Sequence, residues 1–226
     1  MGKRSDKLRQ VRLQVPVSDE DLANLEIGDV VFLDGLIYTG REGVYERYVE
    51  NDAEPDVDFT QMSNVNFHCS PAASVGEDGH YKVSAVTATA SFRFAKYMQR
   101  WFQKTGCKVI IGKGGMSPEH YRDLLVPAGA IYLTTVGYGT GALLGRGIKS
   151  VEAVNWMDEL GIAQAMWILR VERFGPLLVE SDLAGNSLFE SNNAEVNARV
   201  KGLYEGLRPP ALSRYGETDD KSEELI

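Results

Sequence analysis

Cysteine, histidine and long apolar runs are all scarce in this chain, and each scarcity excludes something. Among 226 residues there are two cysteines, Cys69 and Cys107, and three histidines. Two thiols cannot hold an iron–sulfur cluster, and in a reducing compartment such a pair reads as structural. His68, His80 and His120 show no metal-ligand spacing, and no C-x-x-C, H-E-x-x-H or G-x-S-x-G occurs. The longest apolar stretches, such as Ala130–Val136, fall far short of the ~20 residues that cross a bilayer. The basic start, MGKRSDKLRQ, has no apolar segment behind it and does not read as a secretory signal. Basic side chains are outnumbered, 24 Lys and Arg against 32 Asp and Glu, for a formal charge of −8. That balance lacks the basic footprint of a nucleic-acid binder. The expectation is a soluble cytoplasmic α/β protein partnered by neither nucleic acid nor membrane.

A chain of this length buries roughly 70% of its unfolded surface, so it needs no disulfide or metal to stay folded. We expect a flexible arm over residues 1–12, a catalytic domain over 13–192, and a C-terminal helix with an acidic tail over 193–226. The pattern between them alternates strands and helices. Ser18, followed by Asp19, Glu20 and Asp21, caps a short helix reaching Leu25. Asp29–Leu33, Asn66–Cys69, His80–Val86, Cys107–Ile111 and Ala130–Val136 read as strands. Asn51–Asp58 reads as a surface loop. Thr89–Lys104 has apolar residues at helical spacing and Gly106 as its stop. Ser117-Pro118-Glu119 opens another helix. Gly137–Gly147 has five glycines in eleven residues, too many for a helix interior and suited to close backbone approach. Two strands, Met166–Phe174 and Leu177–Glu180, flank Gly175-Pro176. The cluster Trp156, Met157, Met166 and Trp167 packs a core.

Three segments carry candidate chemistry. Thr89-Ala90-Ser91-Phe92-Arg93 stands at the expected helix start, where free N–H groups favour a carboxylate and Arg93 lies one turn on. Taken alone, the same residues read first as a helix cap and a solvated arginine. Ile110-Ile111-Gly112-Lys113-Gly114-Gly115 is a strand running into a glycine turn with one lysine. It lacks the spacing of a nucleotide P-loop, but strand ends in α/β sheets are common ligand sites. Thr39-Gly40-Arg41-Glu42 follows the first strand and a turn. A sugar-phosphate or nucleotide binder using Gly112–Gly115 and Gly137–Gly147 is a weaker reading, since neither run has phosphate-loop spacing.

From about Val15 to Glu190 these segments resemble one family. It is the β subunit, or C-terminal domain, of the iron–sulfur-dependent class I fumarate hydratases and L(+)-tartrate dehydratases. The resemblance rests on LEIGDVVFLDGLIYTGRE, TASFR, VIIGKGGMSPE and VNWMDELGIAQAMWILRVERFGPLLVESDLAGNSLFE, in this order. It implies an α/β fold of the swivelling β/β/α type with a mixed sheet. It implies a hydro-lyase that dehydrates a 2-hydroxy dicarboxylate, L-tartrate to oxaloacetate or malate to fumarate. It implies a 4Fe-4S cluster on a partner α subunit and none on this chain, in a homodimer or α2β2 assembly. By position, Thr89 matches the family's base and Lys113 the lysine of its glycine turn. Arg41 and Arg93 match carboxylate contacts, with Ser91 and Gly112 beside them. The chain departs from the family's R-D-x-x-H, having Arg41-Glu42-Gly43-Val44-Tyr45, so a tyrosine stands where the resemblance expects a substrate-contacting histidine. It also has Thr87-Ala88-Thr89-Ala90-Ser91 where the family has G-P-T-T-S. Those changes keep a second function open: a non-catalytic or regulatory dicarboxylate-binding module.

Overall fold

The computed structural model describes residues 8–137 and 139–203. A boundary between compact units falls between Ser191 and Asn192. The elements are β1 (Gln10–Gln14), α1 (Asp19–Ala23), β2 (Val30–Thr39), α2 (Glu42–Tyr45), β3 (Val65–Phe67), β4 (Cys69–Val75) and β5 (Tyr81–Ala88). They continue with α3 (Ala95–Thr105), β6 (Val109–Gly112), α4 (Pro118–His120), α5 (Val126–Ala128), β7 (Ile131–Thr135) and α6 (Thr140–Gly147). β8 (Ile148–Asn155), α7 (Met157–Leu160), β9 (Met166–Ser181) and α8 (Leu188–Leu203) complete the order. Among the described residues no helix is long and apolar enough to cross a membrane.

The main sheet runs β1-β2-β3-β6-β7-β9-β8, and a further pairing of β2 with β9 closes five of its strands into a barrel-like ring. β2, β3, β6 and β7 are parallel, and β9 is antiparallel to both neighbours in the ring. The fold is therefore α/β with a mixed sheet. Side chains alternate across each strand. Ile37, Phe67, Ile111, Leu133 and Leu169 belong to one core, to which all five ring strands contribute. Tyr38, Ile110, Tyr132 and Ile168, one position away, belong to a second core with α3. That helix buries Tyr97, Met98, Trp101, Phe102 and Thr105, the 3.6-residue spacing of one face.

Local signals are obeyed where they are strong. Ser18 and Asp21 form a reciprocal capping box on α1. Ser117 caps α4 with Pro118 at its first position, and Gly106 ends α3 in the left-handed conformation.

Three expectations are corrected. β2 does not stop at Leu33; it passes a bulge near Gly35 and reaches Thr39, because β9 pairs with it as far as Tyr38 and β3 pairs with Thr39. The two late strands are one, β9, continuous through Gly175-Pro176. The glycine-rich run is a helix, α6. A Cβ on Gly141 would come within 2.4 Å of the Val86 carbonyl oxygen, and one on Gly145 within 2.2 Å of that of Ser84. Close approach is what the glycines serve, but it is the approach of a helix to β5. β8 escapes notice in the sequence because exposed Lys149, Ser150 and Glu152 break up its apolar content. Residues 10–12 of the expected arm lie in β1, and the acidic tail lies outside the described residues.

Candidate active site

Parallel strands ending level bring their following loops to one place. Thr39 pairs with Phe67, Phe67 with Ile111, and Ile111 with Leu133. Arg41, His68 and Lys113 therefore leave the same carboxyl end of the sheet, the usual ligand end of parallel sheets. The β4–β5 hairpin then folds back so that Ala88 faces Cys69. Thr89 N donates to His68 O at 2.7 Å, and Lys113 N donates to Thr89 O at 3.1 Å. Residues 24 apart in sequence thus share a backbone bond at the sheet end.

The segment 89–94 is not the start of an α-helix. Ser91–Phe94 is a 3-10 turn and α3 begins at Ala95, with no side-chain cap at either start. Thr89 is the residue after β5 rather than a helix cap. Ser91 is fully buried, and its hydroxyl bonds to His68 Nδ1 at 2.6 Å and Tyr132 Oη at 2.9 Å. Gly112 packs onto the same two oxygens; a Cβ there would lie 2.2 Å from each. Arg93 is exposed, with its guanidinium 5.4 Å from the centre of the Phe94 ring.

Arg41 is held from the far side. Its guanidinium bonds to Ser70 Oγ and donates to Ala163 O at 3.1 Å. The strand end beneath it is fixed by Trp167 N donating to Thr39 Oγ1 at 3.0 Å. Arg41 Nε is buried and has no hydrogen-bond partner among the described residues.

A cavity of about 850 Å³ opens beside these residues, between β5, the 113–115 turn, the end of β7 and the start of α6. Its wall includes Lys113. Ala88 and Ala90 on either side of Thr89 line it, as does Phe92 beside Arg93, but Thr89, Arg93 and Arg41 themselves do not. The structure thus joins Thr89, Ser91, Gly112 and Lys113 directly. It leaves Arg41 and Arg93 as flanking cations at the same end.

Tyr45 corrects another expectation. It is fully buried, stacked 5.3 Å from Tyr97 and set edge-on to Trp101. Its hydroxyl lies 2.6 Å from His68 Nε2. The tyrosine at this departure from the family pattern is a core residue and does not line the cavity. His68 itself carried no signal in the sequence, because its partners Tyr45, Asn66 and Ser91 are far apart or ordinary. Burial pushes its imidazole down to about 3, so it is neutral at physiological pH.

Neither cysteine fits a metal. Both are buried and free, in different cores. Burial pushes the Cys107 thiol up to about 11 and the Cys69 thiol higher still. Among the described residues no three His, Cys, Asp or Glu side chains group as metal ligands.

A family model described as Fumarase C-terminus matches residues 1–192. A putative L(+)-tartrate dehydratase subunit beta of Methanocaldococcus jannaschii is 32% identical over 188 residues, covering 83% of this chain and 95% of that protein. The L(+)-tartrate dehydratase subunit beta of Escherichia coli K12 is 30% identical over 213 residues, covering 91% of this chain and 95% of its own length. A putative class I fumarate hydratase of Geobacillus stearothermophilus is 35% identical over 182 residues. That match takes in 80% of this chain but 34% of the larger protein, so this chain spans about a third of it. With the family match running through nearly all of the described residues, the chain belongs to the fumarase C-terminus family.

Proposed function

We propose that the chain is the β-type part of a hydro-lyase that reversibly dehydrates a 2-hydroxy dicarboxylate, either L-tartrate to oxaloacetate or malate to fumarate. It works with an α subunit that carries a 4Fe-4S cluster, in an α2β2-like assembly. Relatives named as tartrate dehydratase β subunits and a fumarate hydratase support the reaction class. The cluster on the partner supplies a Lewis acid for the departing hydroxyl. This chain supplies the base and the positive charge.

Thr89 removes the proton beside a carboxylate, and Lys113 stands next to it. Arg41 and Arg93 take the carboxylates, while Ser91 and Gly112 hold the backbone between base and lysine. Removing that proton puts more negative charge on the adjacent carboxylate, so fixed cations favour the transition state. A threonine hydroxyl is a poor base on its own, and a neighbouring ammonium lowers the cost of ionising it.

The observation that carries this reading is the Lys113–Thr89 backbone bond at the common end of the parallel strands. It ties the only lysine of the glycine turn to the hydroxyl-bearing residue. The unpartnered Nε of Arg41 adds support, since a buried donor is costly until an acceptor such as a carboxylate oxygen reaches it. To test it, co-express the chain anaerobically with a cysteine-bearing α partner and assay loss of water from L-tartrate and L-malate. Turnover of either supports the reading. Turnover of neither by a complex with an intact cluster removes it.

A second reading, a dicarboxylate-binding module without catalysis, has its own observation: the cavity wall holds Lys113 but not Thr89. Calorimetry of the isolated chain separates the two. Tight binding of tartrate or malate without an α partner favours the module.

A further inference from the structure

Beneath the Thr89–Lys113 junction runs a line of hydrogen bonds closed to solvent. Asn66 Nδ2 donates to Tyr45 Oη at 2.7 Å, and Tyr45 Oη lies 2.6 Å from His68 Nε2. His68 Nδ1 lies 2.6 Å from Ser91 Oγ, which lies 2.9 Å from Tyr132 Oη. All five residues are fully buried.

Each ring nitrogen of His68 has one hydroxyl partner, Tyr45 Oη on Nε2 and Ser91 Oγ on Nδ1. A neutral imidazole donates through one nitrogen and accepts through the other, so both bonds are made in either tautomer. The ring cannot turn away, because Phe94 sits edge-on to it at 4.8 Å and Tyr45 at 5.8 Å.

A buried histidine of this kind can be no more than a satisfied core residue. Its main chain argues for more. His68 N donates to Ile111 O at 2.8 Å, and His68 O accepts from Thr89 N at 2.7 Å. One residue thus holds the strand before Lys113, the backbone of Thr89 and, through its ring, the turn after Thr89.

Resting on the functional reading above, we propose that His68 is a positioning residue. Through its Nδ1 bond to Ser91 Oγ it fixes the 89–91 segment, and with it the placement of the Thr89 hydroxyl against Lys113. It touches no substrate.

The test uses His68→Asn, His68→Gln and Ser91→Ala. An asparagine amide overlies the Nδ1 position and keeps a hydrogen-bond partner for Ser91, through its nitrogen or its oxygen; a glutamine amide overlies Nε2 and does not. In the anaerobic complex with the α partner, on L-tartrate or L-malate, kcat is expected to fall about 100-fold for His68→Gln and Ser91→Ala. His68→Asn is expected to stay within about tenfold of wild type, and KM is expected to hold throughout. In the isolated full-length chain, amide hydrogen exchange at Thr89 and Lys113 should accelerate in His68→Gln and Ser91→Ala and not in His68→Asn. Equal kcat in the Asn and Gln variants, or unchanged exchange in Ser91→Ala, overturns the proposal. If Thr89→Ala and Lys113→Ala leave turnover intact, the functional reading fails instead, and the exchange data still decide the role of His68.

Discussion

The amide of Lys113 donates to the carbonyl of Thr89, and Gly112, the residue before that lysine, packs against Ser91 and Tyr132. The glycine turn and the segment after β5 are therefore joined by both a backbone bond and close packing. Gly112→Ala tests this. Its Cβ would stand 2.2 Å from two oxygens that are pinned by their own hydrogen bonds. Overpacking of that kind costs about 1–3 kcal/mol. Thermal unfolding of the isolated chain should show the loss, and the complex should lose turnover with it.

Gly145→Ala sets two effects against each other. Alanine is a better helix former by about 1 kcal/mol. Against this, its Cβ would lie 2.2 Å from the Ser84 carbonyl oxygen and 2.6 Å from its carbon, both backbone atoms of β5. Backbone cannot swing aside as a side chain can, so α6 must lift from the strand. We expect net destabilisation in a urea titration; a stabilised variant would show that α6 is not seated as described.

His68 should make the fold sensitive to acid. The unfolded chain protonates this imidazole near its ordinary 6.5, whereas burial holds the folded form to about 3. Between those values the unfolded state binds more protons, so stability falls as pH falls and is unaffected by this group above the upper value. From pH about 6.5 to about 4.5 the loss is roughly 2–3 kcal/mol at 1.36 kcal/mol per unit. His68→Asn removes the titrating group. Urea midpoints at both pH values should show a shallower acid dependence for the variant; parallel slopes would contradict it.

Arg41→Lys keeps the charge and loses the planar fork that bonds Ser70, Ala163 and, in the functional reading, a carboxylate. KM for the dicarboxylate should rise about tenfold or more, with a smaller change in kcat, in steady-state assays of the complex.

What the sequence alone revealed depended on distance along the chain. Ser18, Ser117 and Gly106 act on residues within one turn, so their elements were readable. α6 was not, because Gly141 and Gly145 answer to β5, more than fifty residues back. β2 beyond Gly35 was not, because β9 holds it there from the other end of the chain. For the candidate site, family likeness picked out Arg41, Thr89, Arg93 and Lys113. The line from Asn66 through Tyr45 and His68 to Tyr132 had no local signature, since its members come from four separate segments.

The pairing of Thr89 with Lys113 is most directly tested by steady-state dehydration kinetics of the anaerobic complex carrying Thr89→Ala, Lys113→Ala and the double substitution. If the two residues act as one unit, each single change should lower kcat/KM by about 100-fold or more, and the double should cost little beyond the worse single. Single variants with wild-type turnover, or losses that simply multiply in the double, would contradict it.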